Sequence, residues 1–175
     1  AGQTKDRLVG SELGSKTVGI IGTGAIGLRT AQLCKAFGCK VIANAPHPKK
    51  EAEGIVEYVD LETLLKESDI ISLHCPLNDS SRGLINKERI ALMKPTAIVI
   101  NAARGPVVDS QALADALNEG RIAGAGIDVF EVEPPLDVNH PLLHSKNTIV
   151  TPHVAFASAE SMEERCKIVF DSLQQ

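Results

Sequence analysis

Short apolar segments alternate along the chain with segments of helical periodicity, from Thr17 to the C-terminal region. The apolar segments are too short for helices, and their nearly continuous aliphatic content is typical of strands buried on both faces of a parallel sheet. They predict strands at residues 17–21, 40–43, 55–59, 69–74, 97–100, 123–129 and 148–151. The helical patterns predict helices at residues 25–37, 61–66, 87–93, 109–118 and 158–173. This alternation predicts an α/β fold, a doubly wound and mainly parallel sheet with helices on both faces.

Composition narrows the class of protein. The chain has 175 residues, of which 43% are hydrophobic and only 3% aromatic, so a single aliphatic core is expected. A formal net charge of -4 gives no electrostatic reason to expect a nucleic acid or an anionic membrane as a partner. The four cysteines form no C-x-x-C pair, which favours reduced thiols and argues against a disulfide or a metal site. No apolar run approaches the ~20 residues that span a bilayer, and no signal peptide is recognisable, so a cytoplasmic location is expected.

A glycine-rich turn lies between the first predicted strand and the first predicted helix. Gly22-Thr23-Gly24-Ala25-Ile26-Gly27 fits the pattern G-x-G-x-x-G, and its strand–helix context is the one that dinucleotide binding requires. Gly22 permits the tight turn, Gly24 lets the backbone approach a pyrophosphate, and Gly27 lets the helix pack on the strand. The amides of Ala25 and Ile26 would face the phosphates at the helix N-terminus. The interpretation is a Rossmann domain for NAD, and the alternative is a similar turn without a ligand.

The second predicted strand lacks the acidic residue that usually follows it in NAD-binding domains. That position, which would contact the adenosine ribose, is occupied by Ala45. Without an acid to repel a 2′-phosphate, NADP is not excluded, and His47, Lys49 or Lys50 can supply positive charge. The alternative is that these residues form a solvated basic loop. NAD remains the favoured cofactor.

Three later segments carry a family resemblance. They are Asn101-Ala102-Ala103-Arg104-Gly105, the run from Gly126 through Asp128 to Glu133 and Pro134, and Thr151-Pro152-His153-Val154-Ala155. Together with the glycine turn, their order and spacing resemble the D-isomer-specific 2-hydroxyacid dehydrogenases, which include phosphoglycerate, lactate and glyoxylate/hydroxypyruvate enzymes. The likeness extends from about Leu8 to the C-terminus.

The resemblance implies three catalytic residues. Arg104 matches the arginine that holds the substrate carboxylate and keto oxygen, His153 the general acid/base, and Glu133 the carboxylate paired with that histidine. The residue types suit the chemistry, because arginine presents a planar fork to a carboxylate and histidine titrates near neutrality. Each has a plainer interpretation, as a surface arginine, a solvated carboxylate or a loop histidine. No catalytic role is expected for His140 or His144.

The resemblance also implies cofactor contacts beyond the glycine turn. Asp128 matches the residue that binds the nicotinamide carboxamide, and Cys75 lies in a segment that lines the adenine side. Ser81 lies in a loop from which relatives often contact the pyrophosphate. The complete set of expected cofactor-binding residues is Gly22, Gly24, Ala25, Ile26, Gly27, Ala45, Cys75, Pro76, Ser81, Ala102, Asp128, His153 and Ala155.

The resemblance further predicts how the chain is organised. Residues 1–16 are interpreted as a partial N-terminal segment or linker and residues 17–175 as the dinucleotide-binding domain, with the substrate domain absent from this chain. The expected function is hydride transfer between nicotinamide and a small 2-keto or 2-hydroxy acid, in a complete protein that forms a homodimer. The alternative is a non-enzymatic, NAD(H)-sensing module similar to the corepressors of the same family.

Overall fold

A seven-stranded parallel sheet forms the centre of the protein in a computed structural model that describes residues 9–132 and 135–174. The strands are β1 (Thr17–Ile21), β2 (Lys40–Asn44), β3 (Glu57–Tyr58), β4 (Ile70–Leu73), β5 (Ile98–Asn101), β6 (Gly124–Ile127) and β7 (Thr148–Val150). Their order in the sheet is β3-β2-β1-β4-β5-β6-β7. Successive strands are thus added on one side of β1 up to β3 and on the other side from β4 onward, so the strand order reverses between β1 and β4. Ligands of open parallel sheets bind at such a reversal point, beside the carboxyl ends of the strands.

Within the described ranges, five α-helices connect or follow the strands, and most of them have side-chain caps. They are α1 (Ala25–Ala36), α2 (Leu61–Glu67), α3 (Lys87–Ile90), α4 (Ser110–Asn118) and α5 (Ala159–Leu173). The caps of α2 to α5 are side chains that accept from a backbone N–H of the first turn: Asp60, Asn86, Asp109 and Ser158. Short 3₁₀ helices occur at Leu13–Ser15, Lys50–Ala52, Gly105–Val107 and Pro141–Leu143. No helix in the described ranges is both long and apolar enough to cross a bilayer.

The core lies on both faces of the sheet, as a doubly wound fold requires. The smaller cluster joins Val18 and Ile20 of β1 to Val41 of β2 and Ala31 of α1. The larger cluster extends over β4, β5 and β6 to α2, α3 and α4. One side of the β5–β7 end stays open, since Ile149 is 74% exposed there. No described residue of α5 is buried either.

The third strand is shorter than the sequence predicts. Residues 55–59 were expected to be extended, yet only Glu57–Tyr58 pairs with β2. The amides of Ile55 and Val56 both donate to the carbonyl of Ala52, at the end of a 3₁₀ turn, so they cannot join the sheet. The predicted strand was therefore wrong at its first two residues.

Two further elements end two or more residues earlier than predicted. The helix expected at residues 87–93 stops at Ile90, because Leu92 and Met93 donate to carbonyls three residues back instead of four. The strand expected to reach residue 129 ends at Ile127, which is the last residue of β6 that pairs with β5 and β7. The end of the helix comes from hydrogen bonds that hydrophobic patterning does not encode.

Candidate functional site

A cleft of about 480 Å³ lies at the carboxyl ends of β1, β2 and β4, next to the point where the strand order reverses. Six of the residues predicted to bind a cofactor line it: Gly22, Gly24, Ala45, Cys75, Pro76 and Ser81. Its other lining residues are Ile21, Thr23, Asn44, Pro46, His47, Lys49, His74, Asn78, Ser80 and Leu84. Ala102, Asp128, His153 and Ala155 lie beyond this cleft, on the segments after β5, β6 and β7.

The three glycines of the turn are required for different reasons. Gly22 has a φ of +96°, and a Cβ there would lie 2.8 Å from the backbone of Cys75. A Cβ at Gly27 would lie 2.0 Å from the carbonyl oxygen of Gly22, so the helix could not pack on the strand. Gly24, by contrast, has no atom within 4 Å of the place an added Cβ would take and an extended backbone that any residue can adopt. The fold therefore requires the first and third glycines, and only a ligand would require the second.

Helix α1 begins directly after Gly24, which lines the cleft. Gly24 is its N-cap and makes no side-chain cap, in contrast to the N-caps of the other α-helices. The first-turn amides, which include those of Ala25 and Ile26, therefore present donors and a positive dipole end without a capping side chain. This open glycine and uncapped 12-residue helix fit a dinucleotide pyrophosphate.

The wall after β4 is neutral. Burial raises the pKa of the Cys75 thiol and lowers the pKa of His74, so both side chains are uncharged at neutral pH. The hydroxyl of Ser81 donates its hydrogen to the carbonyl of Pro76 at 2.7 Å and accepts from the amide of Asn78. Ser81 thus shapes the loop, and its one hydrogen is not available to a phosphate in this arrangement.

The end of the cleft near Ala45, which is predicted to receive the adenosine ribose, carries no acid among the described lining residues. Ala45 directly follows β2, which ends at Asn44 as the sequence predicts to within one residue. His47 and Lys49 line the same end, whereas Lys50 does not. The side chain of Asn44 donates to the carbonyl of Val59 at 2.9 Å and fixes the strand end.

A buried asparagine organises the turn that carries Arg104. Asn101, 1% exposed, accepts from the amide of Ala103 at 3.1 Å and donates to the carbonyl of Arg104 at 3.0 Å. Gly105 packs so closely that a Cβ there would lie 1.9 Å from the backbone of Phe130. Arg104 is exposed, so its guanidinium is accessible to a solute at the carboxyl end of β5.

A buried carboxylate organises the turn that carries His153. Asp128 accepts hydrogen bonds from the hydroxyl of Thr151, from the amide of Val154 at 2.8 Å and from that of Ala155 at 2.9 Å. The amide of His153 donates to the carbonyl of Asp128 at 2.8 Å. Sequence reasoning gave Asp128 only a cofactor contact, and the structure adds the task of holding the histidine turn.

That turn is held in an unusual conformation. His153 has a φ of +57°, which is uncommon for a residue other than glycine and persists only where the surroundings enforce it. Burial alone would raise the pKa of Asp128, but the hydrogen bonds from Thr151, Ala155 and Val154 outweigh it and lower that pKa. Asp128 is therefore ionised at neutral pH and holds the turn as a charged acceptor.

Glu133, the third predicted catalytic residue, lies outside the described residues, and its pairing with His153 stays a prediction. The neighbouring Glu131 contacts another histidine, His140, with 3.1 Å between Oε2 and Nε2. The Nδ1 of His140 accepts from the amide of Leu142, so its Nε2 carries the hydrogen that Glu131 accepts. His140 thus links Glu131 to Leu142 within the segment between β6 and β7. No group of three metal-ligating side chains occurs within residues 9–132 and 135–174.

Comparison with known proteins agrees with this arrangement. The profile of the NAD binding domain of D-isomer specific 2-hydroxyacid dehydrogenases matches residues 1–155. The chain belongs to this family.

Relatives within the family include reductases of small keto acids. The chain is 49% identical to a hydroxypyruvate reductase of Thermotoga maritima over 90% of this chain and 51% of the relative. It is 49% identical to a glyoxylate reductase of Aeropyrum pernix over 88% of this chain and 46% of the relative. The structure of a D-lactate dehydrogenase with NAD+ from Lactobacillus jensenii superposes with a TM-score of 0.89 at 39% identity, covering 97% of this chain and 55% of that one.

The family assignment confirms the fold and the cofactor class predicted from the sequence. The chain is a Rossmann domain of the D-isomer specific 2-hydroxyacid dehydrogenase family, and the matching family model is that of an NAD binding domain. It spans about half the length of the curated relatives that it matches.

Sequence reasoning missed the residues that hold the site together. Thr151 and Thr23 act through hydrogen bonds to other segments, and Asn101 acts through hydrogen bonds within its own turn. None of the three is a motif glycine or a titratable group. Asn101 offered one signal, because a polar residue at the end of an apolar strand must find partners when buried.

Replacing Asp128 with asparagine is expected to destabilise the protein in a pH-dependent way. Asparagine keeps one acceptor oxygen but directs an NH₂ group at donors, leaving a buried amide unpaired at a cost of about 1–3 kcal/mol. Because the pKa of Asp128 is lowered in the folded state, its contribution is present above the unfolded value near pH 4 and lost as the pH falls further. Urea unfolding of both proteins across this range measures the difference, and a difference that does not vary with pH would exclude the charged acceptor.

Proposed function

We propose that the complete protein is an NAD(P)-dependent dehydrogenase that interconverts a small 2-keto acid and the D-2-hydroxy acid. The observation that carries this proposal is the pair of fixed turns at the carboxyl ends of β5 and β7, on either side of β6, one presenting Arg104 and the other His153. They are joined through the backbone, since the amide of Asp128 donates to the carbonyl of Asn101 at 2.9 Å. A cation suited to a carboxylate thus shares one edge of the sheet with a proton carrier and a dinucleotide cleft.

Each residue has a distinct task in the proposed reaction. Bound nicotinamide supplies or accepts the hydride at the substrate carbon. The guanidinium of Arg104 binds the carboxylate with two parallel hydrogen bonds and polarises the adjacent carbonyl. His153 donates a proton to the resulting oxygen in reduction and removes it in oxidation, with Glu133 stabilising its protonated form.

The names of the relatives suggest the substrate class. Hydroxypyruvate and glyoxylate are small 2-keto acids, and both suit a site that binds a carboxylate and an adjacent carbonyl group. The test is to assay the complete protein with glyoxylate, hydroxypyruvate, pyruvate and phosphohydroxypyruvate, using NADH and NADPH. We expect turnover of at least one; cofactor binding without turnover of any would favour the sensing module. The homodimer and the cytoplasmic location stay predictions.

Ala45 is expected to leave discrimination between the two cofactors weak. Introducing aspartate provides an acceptor for the ribose hydroxyls and a charge that repels a 2′-phosphate. Ala45→Asp should therefore tighten NADH binding by about 1–2 kcal/mol and weaken NADPH binding by a similar amount. The measurement is the ratio of the two Kd values at fixed salt, and a ratio that does not change would show that another residue reads the ribose.

The neighbouring lysines provide a matched control. Lys49 lines the cleft and Lys50 does not, although both are exposed. Lys49→Ala should weaken NADPH binding with little effect on NADH, and Lys50→Ala should change neither. Equal effects of the two substitutions would indicate a diffuse basic loop.

A further inference from the structure

The phenol of Tyr58 connects two segments that are distant in sequence. Its hydroxyl donates to Oγ1 of Thr23 at 2.8 Å, inside the glycine turn. It also accepts from the backbone amide of Lys49 at 3.1 Å, in the loop after β2. One side chain on the edge strand β3 therefore contacts both the phosphate turn and the loop that carries Ala45.

Both partners of the phenol line the cleft, whereas Tyr58 is not part of the lining. Thr23 is 3% exposed and lies between Gly22 and Gly24, so its position determines that of the turn. Tyr58 is itself fixed by pairing with Ala43 of β2. The phenol thus lies outside the cleft lining and connects its two walls, the glycine turn at Thr23 and the loop at Lys49.

We propose that Tyr58 is a positioning residue for the cofactor, which holds the phosphate turn and the ribose loop at a fixed separation. The proposal rests on the dinucleotide occupying this cleft. Its pyrophosphate and its adenosine ribose then lie against the two walls that the phenol joins. Walls fixed in advance lower the ordering cost of binding, and a hydroxyl that both donates and accepts is needed to join them.

The test begins with Tyr58→Phe, which keeps the ring and removes both hydrogen bonds. Kd values for ADP and NADH are measured by calorimetry on the 175-residue chain. We expect both ligands to bind about 5- to 20-fold more weakly, because binding must then order the two walls that the lost hydrogen bonds had fixed. The two factors should be similar, because ADP and NADH both contact the two walls.

A second variant tests the same bond from the opposite side. Thr23→Val is nearly isosteric and removes the acceptor, whereas Thr23→Ser keeps it. We expect Thr23→Val to weaken ADP binding, Thr23→Ser to bind nearly as the wild type does, and the double variant Thr23→Val with Tyr58→Phe to lose less than the product of the two single losses. Independent, multiplicative losses would overturn a role exerted through Thr23.

A control separates this role from general loosening of the sheet edge. Asp60 caps α2 two residues after Tyr58 and is not part of the cleft lining. Asp60→Ala should lower stability without changing either Kd. Tyr58 is also the one tyrosine of a chain without tryptophan, so tyrosine fluorescence reports this phenol directly and should change when ADP binds.

The possible outcomes distinguish failure of the cofactor assignment from failure of the positioning role of Tyr58. A wild-type chain that binds neither ADP nor NADH would refute the cofactor assignment itself. A wild-type chain that binds both, with Tyr58→Phe binding equally well, would refute the positioning role alone. Lower stability of Tyr58→Phe at unchanged Kd would refute it in the same way.

Discussion

Gly24→Val is expected to weaken NADH binding by at least about 100-fold while the free energy of unfolding stays close to that of the wild type. The reason is that Gly24 adopts φ -68° and ψ -173°, which valine also adopts, and no atom lies within 4 Å of the added Cβ. The space that the side chain enters is the one the pyrophosphate needs. Calorimetry with NADH and urea unfolding measure the two quantities.

Two other glycines serve as controls for this prediction. Gly10 also has no atom within 4 Å of an added Cβ, and it lies outside the cleft, so Gly10→Val should change neither quantity. Gly22 combines a φ of +96° with a close backbone contact, so Gly22→Val should destabilise the fold. Unchanged NADH affinity in Gly24→Val would show that the glycine turn is not part of the binding site.

Replacing His153 is expected to lower kcat of the complete protein by about 10²- to 10⁴-fold, the usual contribution of a positioned proton donor. Asparagine is the better substitute, because it tolerates the left-handed conformation that His153 adopts at φ +57°. The loss then reports the missing imidazole and not a rearranged turn. Binding of ADP should be unaffected, since His153 lies beyond the adenosine cleft.

Arg104→Lys extends the same prediction to the substrate. An ammonium keeps the charge but lacks the planar fork, so kcat/KM for the keto acid should fall substantially. His144→Gln is the matched control, because His144 is exposed in the loop before β7 and should not affect the rate. Near-normal kcat/KM in both His153→Asn and Arg104→Lys would show that the reaction is carried out elsewhere.

The parts of the fold that could be predicted are those encoded locally. Aliphatic runs located the strands, and the strand ends placed Ala45 and Arg104 at the correct edge of the sheet. The helix predicted to begin at Asp109 is confirmed, because its cap needs only the amide of Ala112, three residues away. The predicted length of the third strand was wrong, because the amides of Ile55 and Val56 donate to a carbonyl of the preceding 3₁₀ turn.

The supporting contacts of the site could not be predicted, because they join segments far apart in sequence. Tyr58 contacts Thr23 across 35 positions, and Asp128 contacts Ala155 across 27. Neither pair has a spacing that hydrophobic periodicity records. Motifs therefore indicate which residues are predicted to face a ligand, whereas the contacts that hold those residues in place are known only from the three-dimensional structure.

The most direct test of the central claim is to map the cofactor onto the chain by amide chemical shifts. Spectra of the ¹⁵N-labelled protein are recorded during titration with ADP and then with NADH. We expect ADP to move the amides of residues 22–27, 44–49 and 74–81, and NADH to move in addition those of 101–105 and 151–155. Shifts confined to other regions, such as the open face of β5 to β7, or none at saturating NADH, would contradict the account.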